Sequence, residues 1–340
     1  MKLKSMNSLR NSRQTSRLGL WLAQHDLIVF YILVFFFTWT IVALLAAFPP
    51  ENPTAFTRIV LISSYAPALV ALYLLPQASP APAVRFSGRR LPLIILIVLL
   101  TASVEWLDHL WWNHPIDTTL ILADVVLVAF ASLTLTRLLD GSSRISLWPS
   151  EKPSRQIWLW VVVALGLWPV LILAGNQIAE GVGIAVPPAT WPDIPFPLIL
   201  IESFIWAFLF GGALNEEPGW RGFALPRLQR RFTPLIASLI IGALWGLWHV
   251  PYHLLGIYGG GAFGALIRVM DIPRAVLFTW VYNRSKGNLL ILLLLHASTN
   301  TTSYFLNRSW EVTLVLTTLA AVVVIIADKM WRRLPPQEHR

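Results

Sequence analysis

FPLILIESFIWAFLFGGALNEEPGWRG, residues 196–222, is the stretch on which the reading of this chain turns. Residues 196–214 form a long apolar run, closed by Glu216 and Glu217 and followed by Pro218-Gly219-Trp220-Arg221. A run of about 20 apolar residues is long enough to cross a bilayer as a helix. Ionisable groups there are expensive, about 2.5–3.5 kcal/mol each at mid-bilayer, so a cluster of them points to a functional site. Two downstream apolar stretches carry histidines: WGLWHVPYH (245–253) and LLLLHASTN (292–300).

The whole chain has the same character. Its 340 residues are 56% apolar and 13% charged, with a mean hydropathy of +0.64. A soluble domain is about 25% charged, so the composition implies an all-α polytopic transmembrane helical bundle. Apolar runs near 27–48, 57–76, 91–107, 119–136, 157–175, 196–214, 233–255, 264–282, 287–306 and 311–328 give about 8–10 spans. The eighth is the weakest, because Arg268, Asp271 and Arg274 interrupt it; were it re-entrant, the orientation of the C-terminus would change. The absence of Cys excludes disulfides, thiolate metal sites and a cysteine nucleophile.

The net charge of +9 would suit nucleic acid, but its distribution argues for a membrane instead. With the N-terminus cytoplasmic, 22 of the 26 Lys and Arg fall in segments on that side, leaving Arg58, Arg268, Arg274 and Arg308. Positive residues mark cytoplasmic loops, so both termini are expected inside a prokaryotic plasma membrane. The basic start and its long apolar run read as an uncleaved signal-anchor helix. The expected organisation is a basic cytoplasmic tail (1–26), N-terminal spans (27–195), a catalytic core (196–310), and a last span with a cytoplasmic tail (311–340). Segments 76–90 and 140–156 read as polar linkers, and 215–232 as a basic cytoplasmic loop.

The first five spans read mainly as packing and lipid-facing surface. Glu105, Asp108, His109, Trp111, Trp112 and His114 are expected to form an external aromatic belt with solvated charges. Asp124 and Glu202, inside spans, are assigned to substrate contact or helix binding and not to catalysis.

Three elements between about 200 and 302 carry chemistry. Glu217 and Arg221 are spaced i,i+4, acid before base, and can pair. Neighbours on a helix point about 100° apart, which leaves Glu216 free to face a reaction centre. Pro218 disfavours helical geometry at Glu217. The bland reading of this group is an interfacial loop of charges. His249 lies at the depth expected for Glu216; His253, four residues on, could join it on a metal, although by itself it reads as an interfacial side chain. His296 and Asn300 share a helical face and must avoid lipid, either as a catalytic pair or as interhelical hydrogen-bonding groups. A carboxylate with an imidazole can deprotonate water, and a second imidazole with an amide can stabilise the resulting oxyanion.

At these residues the sequence resembles the CAAX-prenyl-protease type 2 and bacteriocin-processing (CPBP) intramembrane endopeptidases. EEPGWRG matches that family's Glu-Glu-x-x-x-Arg motif, Trp245 to His249 its aromatic-x-x-x-His, and His296 to Asn300 its His-x-x-x-Asn. Trp245 stands where phenylalanine is often found, and Pro218 where many members have a helix former. The resemblance implies that Glu216 activates water with help from His249. It makes His296 and Asn300 the oxyanion site, and has Glu217 with Arg221 order the motif.

The expected activity is hydrolysis of a peptide bond near the cytoplasmic face, in a peptide or membrane-anchored protein substrate, with no nucleic-acid partner. The alternative is a non-catalytic immunity or scaffolding protein that keeps the polar network for stability. Members of the family are often catalogued as metalloproteases, and a metal-free glutamate mechanism fits the residues equally. If a divalent metal such as zinc binds, its ligands would be Glu216, His249 and His296, with Asn300 or His253 as a fourth group.

Overall fold

The computed structural model describes residues 17–74, 91–139, 145, 147, 156–186, 188, 193–258 and 260–335. Residues 1–16 of the expected tail, the linker 76–90 and most of 140–156 lie outside them. The tail's remaining residues already belong to α1 (Arg17–Ala47), which kinks at His25.

Every regular element among the described residues is helical, and eight segments are long and apolar enough to cross a membrane. After α1 come α2 (Pro53–Ser64) with the short α3 (Ala66–Leu69) and a π-helical turn, Val70–Leu74. Three long helices follow: α4 (Leu91–Trp112), α5 (Thr118–Leu139) and α6 (Gln156–Gly181). The next span is broken into α7 (Phe196–Leu209), α8 (Ala213–Glu217), a π-helical stretch Pro218–Ala224 and α9 (Leu225–Arg231). The remainder is α10 (Pro234–Leu254), α11 (Gly261–Ile267), α12 (Asp271–Arg284), α13 (Leu289–Phe305) and α14 (Trp310–Ala327). The eighth span, expected to be the least regular, is split into α11, a short turn and α12, which has 14 residues; α13 has 17.

Local chemistry sets many of the boundaries. Asn52, Thr233, Asn288 and Ser309 each cap a helix by accepting a hydrogen bond from a backbone N–H two or three residues on. Pro53 and Pro234 follow two of these caps, in the first turn, where the missing N–H costs nothing.

Contacts identify the two ends of the bundle. Asn52 donates to the Pro115 carbonyl (2.8 Å), and Asn307 to that of Pro188 (3.1 Å), gathering the connections after α1, α4, α6 and α13 at one end. Leu235 N bonds to Met330 O, Arg333 to Arg231 O, and Arg227 to Asp26, which defines the other, basic end.

Segment 215–232 is not the basic loop read from the sequence. It continues the sixth crossing as one 36-residue run, Phe196–Arg231. Glu217 is helical (φ −61°, ψ −34°) despite the following proline, and the π-helical stretch absorbs the lost backbone hydrogen bond. Arg221 is wholly buried; only Arg227, Arg230 and Arg231 approach the basic end.

The N-terminal helices grip this broken span. Tyr65 donates to the Leu209 carbonyl, and Asn215 donates to Ser64 and to the Phe210 carbonyl. From the other side, α10 packs on α12 through Gly242 and Gly246. A Cβ at Gly242 would fall 2.7 Å from the Ile272 Cα, and one at Gly246 2.8 Å from the Arg268 carbonyl oxygen. Small residues thus let the two helices approach until α12 lies beside His249.

Candidate active site

α8, α10 and α13 bring the three predicted elements together inside the bundle. Glu216, His249 and His296 are 5%, 6% and 3% exposed, and Glu217 and Arg221 are fully buried. Glu217 Oε1 accepts from Arg221 at 3.0 Å, the expected i,i+4 pair, and also binds His296 Nδ1 at 2.7 Å. One carboxylate oxygen therefore links the first motif to the third. The Arg221 guanidinium lies between the Trp245 and Phe278 rings, 4.6 and 4.7 Å from their centroids, where the π-faces supply attraction that water cannot.

Glu216 has a separate partner. Trp245 donates its indole N–H to Glu216 Oε2 at 2.6 Å, and its ring meets both imidazoles edge to face, 5.7 Å from His249 and 5.6 Å from His296. Trp245 is thus the hub of the site. His249 Nδ1 is 2.8 Å from the Trp245 carbonyl, so it carries the proton and leaves Nε2 as the open nitrogen. His296 has the same arrangement, with Nδ1 on Glu217 and Nε2 open.

The break in the sixth crossing decides where these groups meet. Gly212 has φ +124°, a region essentially closed to residues with a side chain. A Cβ there would lie 2.7 Å from Asn300 Nδ2, 2.8 Å from His296 Nε2 and 3.3 Å from Glu216 Oε1. The bare glycine thus leaves a small space faced by a carboxylate oxygen, an imidazole nitrogen and an amide. Asn300 also donates to the Gly211 carbonyl, which fixes its orientation. Tyr258, which is 46% exposed, sets its ring 6.3 Å from that of His249.

A cavity of about 300 Å³ reaches Asn300 and Gly211 from the end of the bundle opposite Arg227, Arg230 and Arg231. Its walls include Arg58, Asp108, His114, Glu202 and Trp206. These residues are not a solvated belt. Arg58 binds Glu105 at 2.5 Å and also Asp108, while His109 binds Asp124 at 2.7 Å, and Arg58, Glu105, Asp108 and His109 are buried. Glu105, Asp108 and His109 recur three and four residues apart, so one face of α4 carries them all toward Arg58 of α2 and Asp124 of α5. Trp111 and Trp112 remain partly exposed, as expected of aromatics at an interface.

The donor atoms of Glu216, His249 and His296 do not gather within 4.8 Å of one another, so as the side chains stand they do not form one metal site. The group among the described residues that does is Glu105, His109 and Asp124. There the Arg58 guanidinium already supplies the cation, with its Nε 2.5 Å from Glu105 and 3.6 Å from Asp124. His253 does not join this cluster; it lines a different cavity.

Sequence reasoning missed Gly212 and the donor role of Trp245. The second had a signal, since an indole N–H inside a membrane must find an acceptor. The first had none, because a Gly-Gly pair in an apolar run does not reveal which side chains approach it.

Residues 198–302 match the family profile described as type II CAAX prenyl endopeptidase Rce1-like. The chain is also similar to CAAX prenyl protease 2 of Methanococcus maripaludis, 27% identical over 127 residues, which cover 34% of this chain and 47% of that protein. The chain thus matches about half the length of this curated relative. The matched region holds all three motifs and the helices that carry them, so the likeness to the Rce1-like CAAX prenyl endopeptidases rests on residues 198–302.

Proposed function

We propose that this protein is an intramembrane endopeptidase that hydrolyses a peptide bond with an activated water. Glu216 is the base, and the open Nε2 of His249 shares the water's proton. His296 and Asn300 donate to the oxyanion as the water's oxygen adds to the carbonyl carbon. Collapse of that intermediate breaks the C–N bond, and the proton held on Glu216 passes to the leaving amine. Burial among apolar helices strengthens each of these interactions. His296 donates from Nε2 as the imidazolium, its charge balanced by the Glu217 carboxylate that holds Nδ1.

The observation that carries this reading is the meeting of Glu216, His296 and Asn300 around Gly212, with Trp245 joining Glu216 to both imidazoles. A carboxylate, an imidazole and an amide around one enclosed space, with His249 against the Trp245 ring beside them, supply both halves of amide hydrolysis. The substrate is a peptide or a membrane-anchored protein, and the reaction as written uses no metal step.

The direction of access departs from the sequence expectation. The cavity that reaches Asn300 opens at the end away from the basic residues, which with cytoplasmic termini is the non-cytoplasmic side.

Glu216→Gln tests the proposal. It keeps the shape and the Trp245 hydrogen bond while removing the base, so cleavage by the reconstituted protein should cease at unchanged abundance. Full cleavage by that variant would exclude Glu216 as the base. Parallel loss of abundance and function would favour the non-catalytic scaffold.

A further inference from the structure

A second cavity, of about 470 Å³, lies at the same end of the bundle between α11, the start of α12 and the α13–α14 connection. Its charge is unbalanced: Arg268, Arg274 and Arg308 line it against a single carboxylate, Asp271. Asp271 pairs with Arg268 at 2.6 Å and with Arg274 at 3.1 Å. Among the described residues no carboxylate lies within 4 Å of Arg308. Burial and the neighbouring charge of Arg268 hold the Arg308 guanidinium below its usual value. The Nε atoms of Arg268 and Arg274 are buried without hydrogen-bond partners. Two uncompensated positive charges with unused donors form a receptor for an oxyanion.

The surroundings indicate which oxyanion. α11 and the turn after it expose Phe263, Leu266 and Val269, which are 52%, 74% and 53% accessible directly beside the arginines. Trp310 lines the cavity and meets Phe263 edge to face at 5.2 Å, an aromatic pair at the level where headgroups lie. An anion bound here has a greasy surface alongside it, open to the bilayer.

We propose that this cavity binds the phosphate of a membrane phospholipid, held by Arg268, Arg274 and Arg308, with acyl chains lying on the exposed face of α11. The lipid would brace the segment that presents Asp271 4.0 Å from His249. The proposal does not depend on the peptidase reading. A peptide's terminal carboxylate would satisfy the arginines, but it would leave the apolar lip uncovered.

Binding is measured on the full-length protein in neutral detergent by native mass spectrometry, with dihexanoyl-phosphatidylglycerol, inorganic phosphate and a short apolar peptide with a free carboxylate as separate probes. The expected result is saturable binding of one phospholipid in preference to the other two. Losing one charge-assisted hydrogen bond should weaken it about tenfold in Arg308→Gln. Arg308→Lys should retain most of the binding, and Arg333→Gln, at the basic end, all of it. Equal weakening in Arg333→Gln, or no weakening in Arg308→Gln, overturns the proposal. Preference for inorganic phosphate or for the peptide also overturns it. Among the described residues Arg308 has no ion pair to break, and should Arg308→Gln still misfold, the ranking of the three probes on the unaltered protein decides.

Discussion

Replacing Gly212 by Ala tests the geometry of the site more sharply than removing any of its functional groups. The added methyl would sit 2.7 Å from Asn300 Nδ2 and 2.8 Å from His296 Nε2, against an ordinary contact of at least 3.4 Å, so both side chains must move by about 0.6–0.7 Å. The backbone at φ +124° adds its own cost. A side chain in the left-handed half of conformational space costs about 1–2 kcal/mol, and overpacking about 1–3 kcal/mol more, for a total of about 2–5 kcal/mol. The catalytic effect should exceed what stability alone explains, because displacing reacting groups by about 1 Å costs on the order of a hundredfold in rate. The assay is the cleavage rate per folded molecule in proteoliposomes, with the thermal midpoint in detergent measured in parallel. Gly166→Ala in α6 is the control: nothing lies within 4 Å of its added methyl, and helix propensity favours the change by up to about 1 kcal/mol. If Gly212→Ala cleaves at the unaltered rate with an unaltered midpoint, the bare backbone is not what allows Glu216, His296 and Asn300 to meet.

Two further substitutions probe the buried charges. Arg221→Met leaves Glu217 buried with only His296 as a partner and should cost about 3–5 kcal/mol, read as a lower thermal midpoint and a lower yield of monodisperse protein. An unchanged midpoint would mean that the pair with Glu217 carries no structural weight. Arg58→Met strands Glu105, Asp108 and Asp124 against one another and should lower folded yield similarly, with partial recovery in Arg58→Met/Glu105→Gln; the absence of any recovery would argue against charge imbalance as the cause.

Much of this protein is legible in one dimension. Apolar runs of bilayer length and the one-sided placement of Lys and Arg give a helical bundle and its crossings, because lipid forces every backbone polar group to be satisfied within a helix. The motif residues Glu216, Glu217, Arg221, His249, His296 and Asn300 stand out because a polar side chain in a greasy run needs a reason to be there. Tertiary structure decided the rest. The π-helical stretch after Glu217 buries what local composition marks as a loop, since the cost of Pro218 is met by packing against the N-terminal helices. The belt at Glu105–His114 became a buried ion network because Arg58, about fifty residues away, faces it. Distance along the chain sets no limit on such pairings, and neither Gly212 at the meeting point nor Trp245 as its hub follows from spacing. A hydrophobicity pattern records which groups avoid lipid; only the packed helices determine which of those groups face one another.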